Sequence, residues 1–130
     1  MPASISLRVL VVDDDFDVTE ALTELVRMLG HSCEGAYDGE TAIQMALESP
    51  PDLLLCDLSL PGLDGCDVAR KLRSDPRTSR TRLIALTGYS DPTAVADARA
   101  AGFHAHVTKP LSLDSLDALL AKEAEGQATA

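Results

Sequence analysis

Four short apolar runs in this chain stop on or near residues that can do chemistry. Leu7–Val12 is followed by Asp13, Asp14 and Asp15, Leu53–Cys56 by Asp57, Leu83–Leu86 by Thr87, and Ala105–Val107, after one residue, by Lys109. If these runs are neighbouring parallel strands, all four ends meet at one edge of the sheet. Several carboxylates, one hydroxyl and one ammonium then share a cleft. Carboxylates a few ångströms apart repel, and each raises the others' pKa unless a cation intervenes. A hard divalent ion answers that need, because Mg²⁺ takes one or two carboxylates, waters and phosphate oxygens. A carboxylate can also attack phosphorus and become an aspartyl phosphate. Phosphoryl transfer asks mainly for positioning and charge neutralisation. Lys109 supplies a second cation, and Thr87 a hydroxyl donor to a phosphoryl oxygen.

The elements that must hold these residues can be read from hydrophobic periodicity. The first three of these runs are nearly continuous in apolar residues, as strands covered on both faces are. Cys33–Ala36 and Ala105–Val107 are weaker strand signals. Between the runs lie helical stripes. Val18, Leu22, Leu25 and Leu29 share one face, and Gly30 ends that helix. Ala42, Ile43, Ala46 and Leu47 form the second, stopped by Pro50 and Pro51. Val68, Ala69 and Leu72 form the third, halted near Pro76. Thr93 to Ala101 follows Asp91 as cap and Pro92 at the first turn, and ends at Gly102. Leu113, Leu116, Leu119 and Leu120 form the last. The order is β-α five times, which predicts an α/β doubly wound parallel sheet with right-handed crossovers. Ligands of such sheets bind at the carboxyl ends of the strands.

Bulk properties narrow the function. The 130 residues fit a single domain, 1–130, with a core over about 7–122 and a tail at 123–130. The core must be aliphatic, since hydrophobic residues are 45% of the chain and aromatics only 3%. The formal net charge of −10 repels nucleic acid and anionic lipid. Cys33, Cys56 and Cys66 follow no metal or disulfide spacing, which suggests a reducing compartment. The amino terminus reads as no signal peptide, and no run has the length to cross a bilayer. A cytoplasmic protein, with no membrane insertion and no nucleic-acid partner, is the expectation.

The motifs V-L-V-V-D-D-D (Val9–Asp15), L-L-L-C-D-L-S-L-P-G-L-D-G (Leu53–Gly65), I-A-L-T-G (Ile84–Gly88) and V-T-K-P (Val107–Pro110) stand in order at the expected strand ends. Together they resemble the receiver domain of two-component response regulators, over about Leu7 to Leu120. The resemblance is to chemotaxis-regulator-like receivers and implies a flavodoxin-like (βα)5 fold with strand order 2-1-3-4-5. It implies Asp57 as both phosphoacceptor and Mg²⁺ ligand, Asp14 as a direct Mg²⁺ ligand, Asp13 as a support mainly through water, and the Ser59 backbone carbonyl as a third ligand. Mn²⁺ is an alternative ion. Lys109 would pair with the phosphoryl group, Thr87 would move toward it, and Lys109-Pro110 would be a cis peptide. The donor would be a phosphohistidine of a histidine kinase or histidine phosphotransfer domain. Output would pass to a downstream protein through the face of the fourth helix, fifth strand and fifth helix. Such a domain catalyses its own phosphorylation and dephosphorylation without being a conventional turnover enzyme. The reading expects no output domain, so either a stand-alone regulator or the receiver of a hybrid histidine kinase fits, and A-A-G-F-H-A-H-V-T-K-P leans to the latter.

His106 departs from the family pattern, because relatives often carry Tyr or Phe three residues before the lysine as the partner of the Thr in the switch. A histidine there brings titration near neutrality within reach, although a partly exposed strand residue is the commoner role. Tyr89 and Ser59 occupy the variable positions flanking the site. Asp15 and Asp17 read first as charges at the positive end of the first helix. Pro61, Gly62 and Gly65 read as shaping the loop after the third strand. His31 and His104 fall in loops without metal-type partners, and Cys56 reads as core filler. Two other functions compete. Asp15-Phe16-Asp17-Val18-Thr19 matches the D-x-D-x-T string of haloacid-dehalogenase-type phosphatases, but Asp13 and Asp14 separate it from the strand. A degenerate receiver acting as a binding module would not need the complete set of Asp13, Asp14, Asp57, Thr87 and Lys109.

Overall fold

The computed structural model describes residues 6–88 and 92–129. Strands β1 (Arg8–Val12), β2 (Ser32–Ala36), β3 (Leu53–Asp57), β4 (Arg82–Thr87) and β5 (Ala105–Thr108) alternate with helices α1 (Phe16–Met28), α2 (Gly39–Glu48), α3 (Gly65–Ser74), α4 (Pro92–Ala101) and α5 (Leu113–Thr129). All strand pairs are parallel, in the order β2-β1-β3-β4-β5. This is the doubly wound sheet and strand order that the sequence leads one to expect.

Successive strand residues face opposite sides of a sheet, and the two cores divide accordingly. Val9, Val11, Leu53, Leu55, Ile84 and Leu86 pack with Leu22 and Val26 of α1 and Leu116 and Leu120 of α5. Leu10, Val12, Leu54, Cys56, Leu83 and Ala85 pack on the other side with α2, α3 and α4. Both faces are dry, so β1, β3 and β4 have no polar face to offer, and their sequences run unbroken in apolar residues. The outer strands are only partly covered. In β5 intermediate and exposed residues alternate, and in β2 Glu34 is exposed. That is why their sequence signals are weak.

Acidic side chains begin three of the helices. Asp15 accepts from the amides of Asp17 and Val18, and Asp38 from that of Thr41. Asp64 and Asp67 form a capping box on α3. Each such cap contributes about 1 kcal/mol. The Asp15 cap brings the start of α1 forward to Phe16, two residues before the first member of its apolar stripe. The expected cap Asp91 lies outside the described residues.

Residues 123–130 read as a tail, and α5 runs through most of them, to Thr129. Glu123 is only 8% exposed, and its carboxylate accepts from Arg82 Nε at 2.8 Å. That contact ties the last helix to the start of β4, and a partner so distant in sequence cannot be seen from the helix's own residues. Among the described residues, no helix is long and apolar enough to cross a membrane.

The two loop histidines hold strand beginnings. The Leu7 amide donates to His31 Nδ1 at 2.9 Å, and the Leu83 amide to His104 Nδ1 at 3.0 Å. Arg73 approaches the His104 ring at 3.2 Å and also donates to the carbonyls of Ser79 and Thr81. Burial first, then the charges of Arg82 and Arg73, lower the His104 pKa, with Glu123 opposing. Protonation at Nδ1 would set N–H against the Leu83 N–H and a cation beside two guanidinium groups. Because the folded pKa lies below the ordinary 6.5, the unfolded chain takes up the proton first as pH falls. Stability is therefore expected to decline from about pH 6.5 downward until the folded histidine also protonates. Denaturant titrations at a series of pH values check this, and the decline should flatten in His104→Gln.

Candidate functional site

The parallel order puts the carboxyl ends of β1, β3, β4 and β5 along one edge, and the chemistry-bearing residues converge there. Asp13, one residue past β1, is 1% exposed, and Asp57, the last residue of β3, is 7% exposed. Lys109 reaches both from just beyond β5. Its Nζ lies 3.0 Å from Asp13 Oδ2 and 3.2 Å from Asp57 Oδ2. Asp14 is exposed, and one carboxylate oxygen from each of Asp13, Asp14 and Asp57 falls within 4.8 Å of the others.

Local hydrogen bonds fix the two buried carboxylates. The Asp15 amide donates to Asp13 Oδ1 at 3.0 Å, and Thr19 Oγ1 donates to the Asp13 carbonyl at 2.7 Å. The Ser59 amide donates to Asp57 Oδ1 at 3.0 Å. Burial pushes the Asp57 carboxyl above its ordinary value, more than the Ser59 amide and Lys109 draw it down. Burial works against the Lys109 ammonium too, but the Asp13 and Asp57 carboxylates outweigh it and hold that pKa high. One cation thus serves two buried carboxylates, and Asp14 leaves a third negative charge at the rim. None of the described hydrogen bonds or ion pairs engages the Asp14 side chain. Three hard oxygen donors with one lysine between them suit an additional hard cation such as Mg²⁺. Cys56, buried behind Asp57, has its thiol pushed up by burial and then by the Asp57 and Asp13 charges, so it is neutral packing.

Thr87 ends β4 and is buried. Its hydroxyl donates to the Val107 carbonyl at 3.4 Å, toward β5 and at the weak end of the hydrogen-bond range. His106 pairs with Ala85 in the β4–β5 register and is exposed. It lines a shallow recess with Val95, Arg99 and Phe103, and no described contact joins it to Thr87. Lys109-Pro110 is cis, as the resemblance implies. Tyr89 lies outside the described residues. Asp15, the nucleophile that a D-x-D-x-T phosphatase would need, is committed to capping α1.

An aromatic pair at the rim escaped sequence reasoning. Phe16 stacks on Tyr37 with ring centroids 5.4 Å apart and remains 61% exposed. The Tyr37 hydroxyl donates to Glu20 at 2.6 Å. The available signal was position, since Tyr37 directly follows β2 and Phe16 follows the acid triplet after β1.

A family model described as the response regulator receiver domain matches residues 9–121. A gliding motility regulatory protein of Myxococcus xanthus is 39% identical over 108 residues, 83% of this chain and 14% of that protein. The DNA-binding response regulator MtrA of Mycolicibacterium smegmatis is 40% identical over 103 residues, 79% of this chain and 44% of that protein. The chain thus spans less than half the length of these relatives. Among solved structures, the signal receiver domain of a signal transduction histidine kinase from Syntrophus aciditrophicus superposes with a TM-score of 0.84 at 26% identity, covering 93% of this chain and 92% of that one. A BeF3-activated DrrB receiver domain gives 0.82 at 26% identity, covering 93% and 99%.

The loop carrying Asp57 turns back tightly on the strand. A Cβ on Gly65 would lie 2.5 Å from the Asp57 carbonyl oxygen and 2.8 Å from Leu58 Cα, both backbone. Gly62, earlier in the same loop, has φ +73°, which favours glycine. Gly65→Ala is therefore expected to lower stability by about 1–3 kcal/mol. Urea unfolding measures this, and an unchanged midpoint would show that the turn yields without cost.

Proposed function

The chain belongs to the response regulator receiver domain family, and from that premise we propose that Asp57 accepts a phosphoryl group from a phosphohistidine in a Mg²⁺-dependent reaction. The observation that carries this reading is the single ammonium of Lys109 held between buried Asp13 and Asp57, with Asp14 beside them. The donor is a histidine kinase or a histidine phosphotransfer domain, and a cytoplasmic setting suits it.

The chain's own residues divide the work. The Asp57 carboxylate attacks phosphorus in line. The bond from phosphorus to the donor imidazole nitrogen breaks, its electron pair returns to that nitrogen, and a proton follows. The Ser59 amide holds Asp57 Oδ1, which leaves Oδ2 to react. Lys109 turns from the carboxylates toward the incoming phosphoryl oxygens. Asp13, Asp14 and Asp57, with the Ser59 carbonyl, are the residues that would hold Mg²⁺, which when bound would supply positive charge to offset the negative charge of the phosphoryl oxygens. Phe16 and Tyr37 give the docking partner an apolar rim.

The new phosphoryl group adds roughly two negative charges at neutral pH. Thr87 can exchange its long bond to Val107 for a charge-assisted one to a phosphoryl oxygen, a stronger type of interaction. That exchange loosens a tie between β4 and β5, and the α4–β5–α5 face passes the change to a downstream protein. His106, exposed on β5 within that face, stands where it could follow the movement of Thr87.

A small-molecule phosphodonor with Mg²⁺, followed by mass spectrometry of the modified peptide, is expected to place the label on Asp57. Asp57→Asn should abolish labelling and keep the fold, whereas label on Asp15 overturns the assignment. Lys109→Ala is expected to leave Asp57 labelled while uncoupling it from amide shifts in β5, read by NMR.

A further inference from the structure

The chain's positive charge is concentrated far from the acidic site. Six of its eleven Lys and Arg residues lie between Arg70 and Arg82, against one acid, Asp75. The remaining sequence sets five cations against twenty acids. The fold carries the end of this segment to the amino-terminal ends of β3 and β4, opposite Asp57. There α5 returns and adds Lys122. The result is an open cleft of about 660 Å³ whose lining includes Arg77, Arg80, Arg82 and Lys122, with Pro50 and Pro51 on one side.

Two of these cations are already engaged, Arg77 with Asp75 at 2.9 Å and Arg82 with Glu123 at 2.8 Å. Neither the Arg80 nor the Lys122 side chain makes an ion pair or hydrogen bond among the described residues, and both are exposed. The local potential is felt by neighbouring groups. After burial, the charge of Arg82 lowers the Arg73 pKa, and those of Arg82 and Arg73 lower that of His104. Like charges gathered at one place repel, and among the described residues nothing pairs with the side chains of Arg80 and Lys122.

We propose that this cleft, at the pole of the sheet opposite Asp57, is a docking site for an acidic segment of a partner protein. The chemistry selects that class. A long nucleic acid would extend past the cleft into the field of a chain whose net charge is −10. A short segment stays within a Debye length, about 8 Å at physiological ionic strength, where the local cations dominate. A small phosphate would need convergent, desolvated donors, but Arg77, Arg80 and Lys122 are exposed and Arg82 is only half-buried. The open form and the proline wall suit an extended chain. Two partners could then engage at once, one at each pole.

The test uses the ¹⁵N-labelled full chain and a short synthetic peptide of alternating Glu and Ala. Amide shifts are expected at residues 77–82 and 122–126, fading as salt is raised. Arg80→Glu with Lys122→Glu should weaken binding roughly tenfold or more. Arg80→Gln with Lys122→Gln should weaken it less, and phosphodonor labelling of Asp57 should be unchanged in both. Absent or misplaced shifts, equal shifts with inorganic phosphate, tighter binding of a short DNA duplex, or undiminished affinity in both variants would overturn the proposal. Because Asp57 labelling is read separately, failure here leaves the phosphoacceptor reading standing.

Discussion

Two buried carboxylates share one ammonium, and that shortage of positive charge organises the carboxyl edge of this molecule. Removing a charge from water costs several kcal/mol even after relaxation, and an ion pair offsets this only with good geometry and further hydrogen bonds. Asp13 and Asp57 have both, through the amides of Asp15 and Ser59 and the shared Lys109. The balance stays incomplete, because Asp14 adds a third carboxylate with no described partner. Three carboxylates against one ammonium suit a hard cation, which would offset the excess negative charge, whereas an anionic group arriving alone would add to it.

The sheet exists in this form to keep those groups in register. Asp13 and Asp57 follow adjacent strands, paired Val12 to Cys56, and Thr87 ends the next strand. Tight packing on both faces means that the strand ends cannot drift independently. Gly65 completes the arrangement by letting the loop after β3 turn against the strand's own backbone. Between β4 and β5 the Lys109 amide donates to the Thr87 carbonyl at 2.7 Å, and the Thr87 hydroxyl adds a longer bond to the Val107 carbonyl.

Charge is also arranged along the strand direction. Acids gather where β1 and β3 end, and cations where β3 and β4 begin. Many of the acids double as helix caps, among them Asp15, Asp38 and Asp64, so the negative excess partly serves local structure. The basic segment has less of this structural employment, although Arg73 holds the carbonyls of Ser79 and Thr81.

Much of this was legible from the chain itself. Unbroken apolar runs at β1, β3 and β4 revealed a sheet covered on both sides, and Asp13, Asp14, Asp57, Thr87 and Lys109 could be picked out because each stands at or just past the end of such a run. Local chemistry suffices for that, since strand alternation and helix periodicity act over a few residues. The tertiary structure decided what depends on partners far apart in sequence. It placed Lys109 between two carboxylates, turned Thr87 toward Val107, left His106 exposed on β5, and stacked Phe16 on Tyr37. It also paired Glu123 of α5 with Arg82, and brought Arg77, Arg80 and Lys122 around one cleft. Periodicity carries no record of such contacts, because their energies depend on distances that exist only once the sheet has closed.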